Sequence, residues 1–211
     1  MNRPWSTRRP GEVSAGWLLS GPNTLYIVGA PSDQKRLAPA FQGLLDELLR
    51  DAERAGVRRG RTADGDPRLL VLHDESANIA PLPELATRAS TARGYGITLV
   101  SIFQGFPQIE SAYGRDAGTV FAQHAARLLL PGASDLDTLR AFSGPEGDVQ
   151  VTAQSSTSSA DGRASHTASQ QWRPTLELRE LRRMPRWTGL LLYGNLPAVR
   201  VRLRPPAGAA G

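Results

Sequence analysis

The sequence predicts an α/β fold, with a mostly parallel sheet covered by helices and closed by a hairpin or antiparallel strands near the C-terminus. Three observations carry that expectation. Residues 69–72 (LLVL) form a short, wholly apolar run of the kind found in strands covered on both faces. Leu37, Phe41, Leu44, Leu45, Leu48 and Ala52 recur at helical spacing, with Asp46, Glu47, Arg50 and Asp51 on the opposite side. Strand-like and helix-like segments then alternate at a spacing that argues for βαβ units.

In chain order, residues 1–16 are polar, basic and Pro/Gly-containing, which suits a loose arm. Residues 24–28 (TLYIV) are expected as a buried strand. Residues 37–52 are expected as a helix, with Pro39 in its first turn or at a kink. An Arg-, Gly- and Asp-rich loop over 56–67 leads into the 69–72 strand. The pattern then predicts a helix over 83–91, a strand over 97–103, a helix around 108–125, a strand over 127–130 and a short helix over 135–142. From 151 to 171 the composition turns to Ser, Thr, Ala, Gln and Gly, with almost nothing to bury, which suits a mobile hairpin or loop. Arg182-Arg183-Met184-Pro185 closes a short helix and residues 189–193 read as a strand. Alternation over 199–203 sets Arg200, Arg202 and Arg204 along one face of an exposed strand. Residues 17–205 are taken as one domain and 206–211 as a disordered tail.

Composition removes several functional classes. The 211 residues, 40% hydrophobic, suffice for one good core. The absence of cysteine excludes disulfides and Cys-based metal sites. His73, His124 and His166 form no H-E-x-x-H pattern, and no G-x-S-x-G elbow occurs, so neither zinc-hydrolase nor serine-hydrolase chemistry is supported. Lys35 is the only lysine among 25 basic residues, and the net charge is +5. That skew fits a GC-rich coding bias and fits phosphate binding by Arg forks equally well. No stretch reaches the roughly 18 uninterrupted apolar residues of a membrane helix. Thr7-Arg8-Arg9 is followed by Pro10, Gly11 and Glu12 rather than by an apolar stretch, so no export signal is expected and the chain is assigned to the cytoplasm.

The most informative segment is 69–75 (LLVLHDE), an apolar strand ending in adjacent acids. Strand ends are where α/β sheets place ligands. An acidic pair there either opens a solvated loop or serves phosphate chemistry, holding Mg²⁺ and polarising water. An ordered run of short motifs follows: Asp74-Glu75, Ala77-Asn78, Leu82-Pro83-Glu84-Leu85, Arg93-Gly94, a strand ending in Gln104, then Gln108-Ile109. This order resembles the C-terminal motor region of the TraG/TraD-like coupling proteins of type IV secretion, which are FtsK/HerA-like RecA-type ATPases. Similar segments upstream (GPNTLYIVGAPSDQKRLAPAFQGLLDEL) and downstream (RLLLPGASDLDTLRAFSG and RRMPRWTGLLLYGNLPAVRVRL) extend the resemblance over roughly residues 17–205.

The resemblance implies the C-terminal half of a RecA-like, P-loop NTPase-type motor that translocates DNA in conjugation. It implies that Asp74 helps hold Mg²⁺, Glu75 activates water, Gln104 senses the γ-phosphate of ATP, and Arg93 is an arginine finger reaching a neighbouring subunit. It further implies a homo-oligomer, a hexamer around DNA, with relaxosome and secretion-channel partners at the cytoplasmic face of the plasma membrane. The sequence departs from that family in one essential: no G-x-x-x-x-G-K-[ST] phosphate loop occurs, because Lys35 follows Gln34. His73 and Ser76 also replace the usual apolar or aromatic neighbours of the acidic pair. The chain is therefore expected to be either a piece of a longer motor or a subunit paired with a loop-bearing partner, and not to hydrolyse ATP alone. The rival reading is a non-catalytic module that docks DNA or a relaxosome protein through Arg179, Arg182, Arg183, Arg186, Arg200, Arg202 and Arg204.

Overall fold

The structure, a computed structural model, describes residues 13–30, 32–60, 68–158 and 164–205, with the backbone alone given for 153–158 and 164–167. Expectations for 1–12, 61–67 and 206–211 lie outside the described residues. The chain divides into two compact units, Met1–Gln104 with Gln108–His124, and Gly105–Pro107 with Ala125–Gly211.

In the first unit, a short helix α1 (Ala15–Leu18) is capped by Ser14, whose hydroxyl accepts from the Trp17 amide at 3.2 Å. Residues 24–28 carry no strand, contrary to the sequence expectation, and Tyr26 and Val28 are 83% and 81% exposed. An apolar composition makes a strand only where a ladder partner exists, and none of the described strands pairs with this segment. Helix α2 (Gln34–Arg59) runs 26 residues, seven beyond the amphipathic stretch, and ends at Gly60 with φ 81. Pro39 falls in its second turn, past the first-turn position anticipated for it.

The centre of this unit is β1 (Leu69–His73), paired in parallel with β2 (Ile97–Ser101) from Leu69↔Ile97 to His73↔Ser101. Helix α3 (Leu85–Thr91) and a 3-10 turn (Ala92–Tyr95) form the crossover between them. One helix was expected around 108–125. Instead there are two, α4 (Phe106–Tyr113) and α5 (Ala117–Gln123), divided by a 3-10 turn at Gly114, whose φ of 54 interrupts the α-helical ladder. Leu48, Leu49, Ala52, Leu82, Leu85, Ile97, Ile109 and Val120 are buried here. The other face of the parallel pair is open: Leu70 and Leu72 are 64% and 63% exposed, with Val100 and Ile102 also exposed.

The second unit is antiparallel. Strand β3 (Ala126–Leu129) pairs with β6 (Thr188–Tyr193), which pairs with β7 (Leu196–Arg202) across a two-residue turn whose first residue, Gly194, has φ 57. Helix α6 (Leu136–Ser143) is capped by Asp135, whose carboxylate accepts from the Thr138 amide at 2.8 Å. The Ser/Thr-rich segment is a hairpin of β4 (Asp148–Ser158) and β5 (Ala164–Pro174). Helix α7 (Leu178–Arg182) follows it. Among the described residues of this unit, Leu129, Leu139, Phe142, Leu181, Met184, Leu190 and Leu192 are the buried apolar side chains, each fully buried leucine contributing on the order of 2 kcal/mol.

Gly56 in α2 lies so close to Tyr95 that a Cβ would meet its backbone oxygen at 2.6 Å and its Cα at 2.7 Å. Backbone cannot yield as a flexible side chain does, so Gly56→Ala is expected to destabilise the chain by about 1–3 kcal/mol, although alanine is otherwise the better helix former. Urea melts of the two chains measure this, with a lower midpoint expected for Gly56→Ala.

Candidate functional site

At the C-terminal ends of β1 and β2 the chain is tied across both strands. The Ile102 amide donates to the His73 carbonyl at 3.0 Å, and the Ser76 amide donates back to the Ile102 carbonyl at 3.1 Å. Between these anchors the turn carries Asp74 and Glu75 outward. The Asp74 carboxylate accepts from the Glu75 amide at 3.0 Å. Glu75 itself sits at φ 49, a left-handed conformation that costs a non-glycine residue on the order of 1–2 kcal/mol.

Glu75 is the hub. One carboxylate oxygen accepts from the Gln104 side-chain amide at 3.3 Å, and the other accepts from the Asn78 side-chain amide at 2.9 Å. Gln104 is fixed in turn by its backbone amide, which donates to Gln108 Oε1 at 2.8 Å. The structure thus brings Glu75 and Gln104 together from 29 residues apart. Asn78 and Gln108, present in the sequence pattern without an assigned role, are the groups that orient them. Two adjacent carboxylates are hard oxygen donors of the sort Mg²⁺ accepts when phosphates and water complete its shell. Among the described residues no cluster of three or more metal-ligating side chains occurs, so the donor set fits one side of a Mg²⁺–nucleotide site.

Arg93 is not part of this cluster. It is exposed in the 3-10 turn before β2, at the strand end remote from Glu75, about 16 Å away along a five-residue strand. By placement Arg93 does not join Asp74 and Glu75 of its own chain.

Beneath the acidic turn lie His73 and Ser76, both buried, with His73 Nδ1 and Ser76 Oγ 2.9 Å apart. Burial pushes the His73 pKa down, against the smaller upward pull of Asp74. Burial likewise pushes the Tyr113 phenol up. The polar pair that departs from the usual apolar neighbours is thus an internal brace of the turn. The basic candidates of the second unit are unequal. Arg179 pairs with Glu177 at 2.6 Å and Arg200 with Glu180 at 2.8 Å, and Arg186 lies 6.0 Å from the centre of the Trp187 ring. Arg182, Arg183 and Arg202 are exposed, and Arg204 lies just past the end of β7.

A buried neutral histidine makes a specific demand on pH. The folded state binds its proton less tightly than the unfolded chain, so stability is full above the ordinary histidine value of 6.5 and falls as pH drops below it toward the lowered folded value. Urea melts between neutral pH and pH near 5 are expected to show that loss, and His73→Gln to show a shallower one. Equal slopes in both chains would exclude this origin.

Comparison with known proteins adds the following. Residues 68–186 match the family model described as the TraM recognition site of TraD and TraG. A conjugal transfer protein TraG of Rhizobium radiobacter is 36% identical over 141 residues, covering 66% of this chain and 21% of that protein. A conjugal transfer protein TraG of Agrobacterium fabrum is 34% identical over 117 residues, covering 55% and 18%. The chain thus spans about a fifth of the length of these relatives. Among solved structures, the bacterial conjugative coupling protein TrwBdeltaN70 in complex with sulphate superposes with a TM-score of 0.66 at 21% identity, covering 90% of this chain and 42% of that one. TrwB in complex with ADP and Mg²⁺ superposes with a TM-score of 0.56 at 20% identity, covering 81% and 38%.

Proposed function

The chain belongs to the TraG/TraD family of conjugative coupling proteins and corresponds to their C-terminal region, with a partial RecA-like α/β fold, and from that premise we propose that it is the water-activating and sensing side of an ATP site in a DNA translocase. In this reading the translocase links a relaxosome to a type IV secretion channel. The observation that carries it is the Glu75–Gln104 hydrogen bond across the ends of two parallel strands, with Glu75 held in a strained backbone conformation. Glu75 takes the proton of the attacking water as general base. Asp74 would contribute an oxygen to the shell of a bound Mg²⁺, and Gln104 would donate its side-chain amide toward the γ-phosphate.

Phosphate binding itself needs the G-x-x-x-x-G-K-[ST] loop, which these 211 residues do not contain. A second polypeptide segment therefore supplies it in this reading. The open apolar face of β1 and β2 supports this, because parallel sheets are stable when both faces are covered. Arg93, remote from its own acidic pair, acts in this reading on the site of a neighbouring copy within a homo-oligomer, a hexamer around DNA. The same family membership supports recognition of a relaxosome partner by this region. No helix among the described residues is long and apolar enough to cross a membrane. The proposal places the chain in the cytoplasm, at the membrane face when assembled.

The chain alone is expected to bind ATP weakly or undetectably and to hydrolyse none. Mixed with the loop-bearing segment of a TraG relative, it is expected to gain turnover that Glu75→Gln lowers by about 100-fold or more. Robust turnover by the chain alone, lost in Glu75→Gln, would overturn the requirement for a second segment. Arg93→Ala is expected to abolish turnover in the same mixture. Combining Arg93→Ala chains with Glu75→Gln chains is expected to restore part of it, because each variant retains what the other lacks. Absence of restoration would assign Arg93 elsewhere.

A further inference from the structure

In the second unit, α6 and α7 line a groove of about 590 Å³. Its floor is apolar, formed by Leu139, which is 1% exposed, and half-buried Leu178, while Leu136 stands 54% exposed at the rim. Arg179, Arg182 and Arg183 line the remaining side. A second hollow of about 430 Å³ shares Arg179 and Arg183 and continues the surface past Pro185 to Arg200. The two together make a track in which leucines and arginines lie side by side.

We propose that this groove seats an acidic segment of a partner protein that carries an apolar anchor residue: the anchor packs against Leu136 and Leu178, above the buried Leu139, and carboxylates pair with Arg182 and Arg183. Charge decides between this and a nucleic acid. A phosphate backbone presents an unbroken row of anions and gains affinity from each unpaired cation it meets. Here Arg179 and Arg200 are already held by Glu177 and Glu180, so the track offers no continuous row of unpaired cations for a phosphate backbone to follow. That leaves Arg182 and Arg183 as exposed forks, which match carboxylates bidentately. An apolar floor gives a sugar-phosphate chain nothing, and gives a leucine or phenylalanine side chain a place out of water. The inference rests on the partner-recognition part of the reading above and is independent of the nucleotide site.

The test uses an array of short fluorescent peptides in which Asp and Glu flank a Leu or Phe, control peptides with Ser at the anchor, and a single-stranded and a duplex oligonucleotide. Fluorescence anisotropy of the full chain is expected to rise with anchored acidic peptides and not with their Ser controls. Arg182→Glu with Arg183→Glu, and separately Leu136→Ser, are each expected to weaken that binding roughly tenfold. These are exposed positions, so thermal melts are expected to be unchanged and to exclude unfolding as the cause. The proposal is overturned if no peptide of the array binds this chain more tightly than the double Arg variant. It is also overturned if Ser controls bind as well as anchored peptides, or if the oligonucleotides bind tightly, lose binding in the double Arg variant and keep it in Leu136→Ser. The peptide assay holds no nucleotide and the ATP assay no peptide, so failure of either reading leaves the other standing.

Discussion

Parallel pairing of β1 with β2 is the constraint on which the rest of the first unit hangs. Five residues pair in register, and the chain leaving each strand is stapled to the other by two further backbone hydrogen bonds at His73, Ser76 and Ile102. At the opposite end the Leu69 amide donates to the Gly96 carbonyl at 3.0 Å. Each such bond contributes about 1 kcal/mol net, enough in sum to hold Glu75 in a conformation costing on the order of 1–2 kcal/mol. The strain therefore persists without the acidic residue itself stabilising it. A one-residue slip of β2 would turn Gln104 away and leave Glu75 with Asn78 alone.

The helical layer secures that pairing through charge as well as through apolar packing. Arg88 of α3 is buried to 8% exposure and reaches α2, where it pairs with Asp46 and with Glu53 at 3.3 Å. A buried guanidinium is tolerated when carboxylates surround it, and its geometry then specifies where α3 lies against α2. The crossover helix is in this way fixed by a polar lock and by Leu85, which is 1% exposed.

How far the sequence could be read depends on which signals are local. The run over 69–72 reads correctly because a continuous apolar stretch ending in acids has few other uses, and its neighbour over 97–101 (ITLVS) reads from its β-branched residues. Residues 24–28 have the same composition and no ladder partner, which no property of those five residues reveals. Arg88 was invisible in another way: arginine is rarely buried, and its partners lie 35 and 42 positions away. The order of motifs singles out Asp74, Glu75 and Gln104 as candidates, and the structure joins Glu75 to Gln104. Arg93 was equally legible as a motif, yet its distance from the pair emerges only from the crossover connection. The roles of Asn78 and Gln108 depend on side-chain hydrogen bonds that spacing alone does not encode.

The uncovered strip of Leu70, Leu72, Val100 and Ile102 has a consequence for the life of the molecule in a cell. Chaperones and proteases recognise exposed apolar strips as the mark of an unfinished protein. A folded chain that displays such a strip offers those factors the same surface that an unfolded one does, and any segment laid over the strip would remove it from their reach.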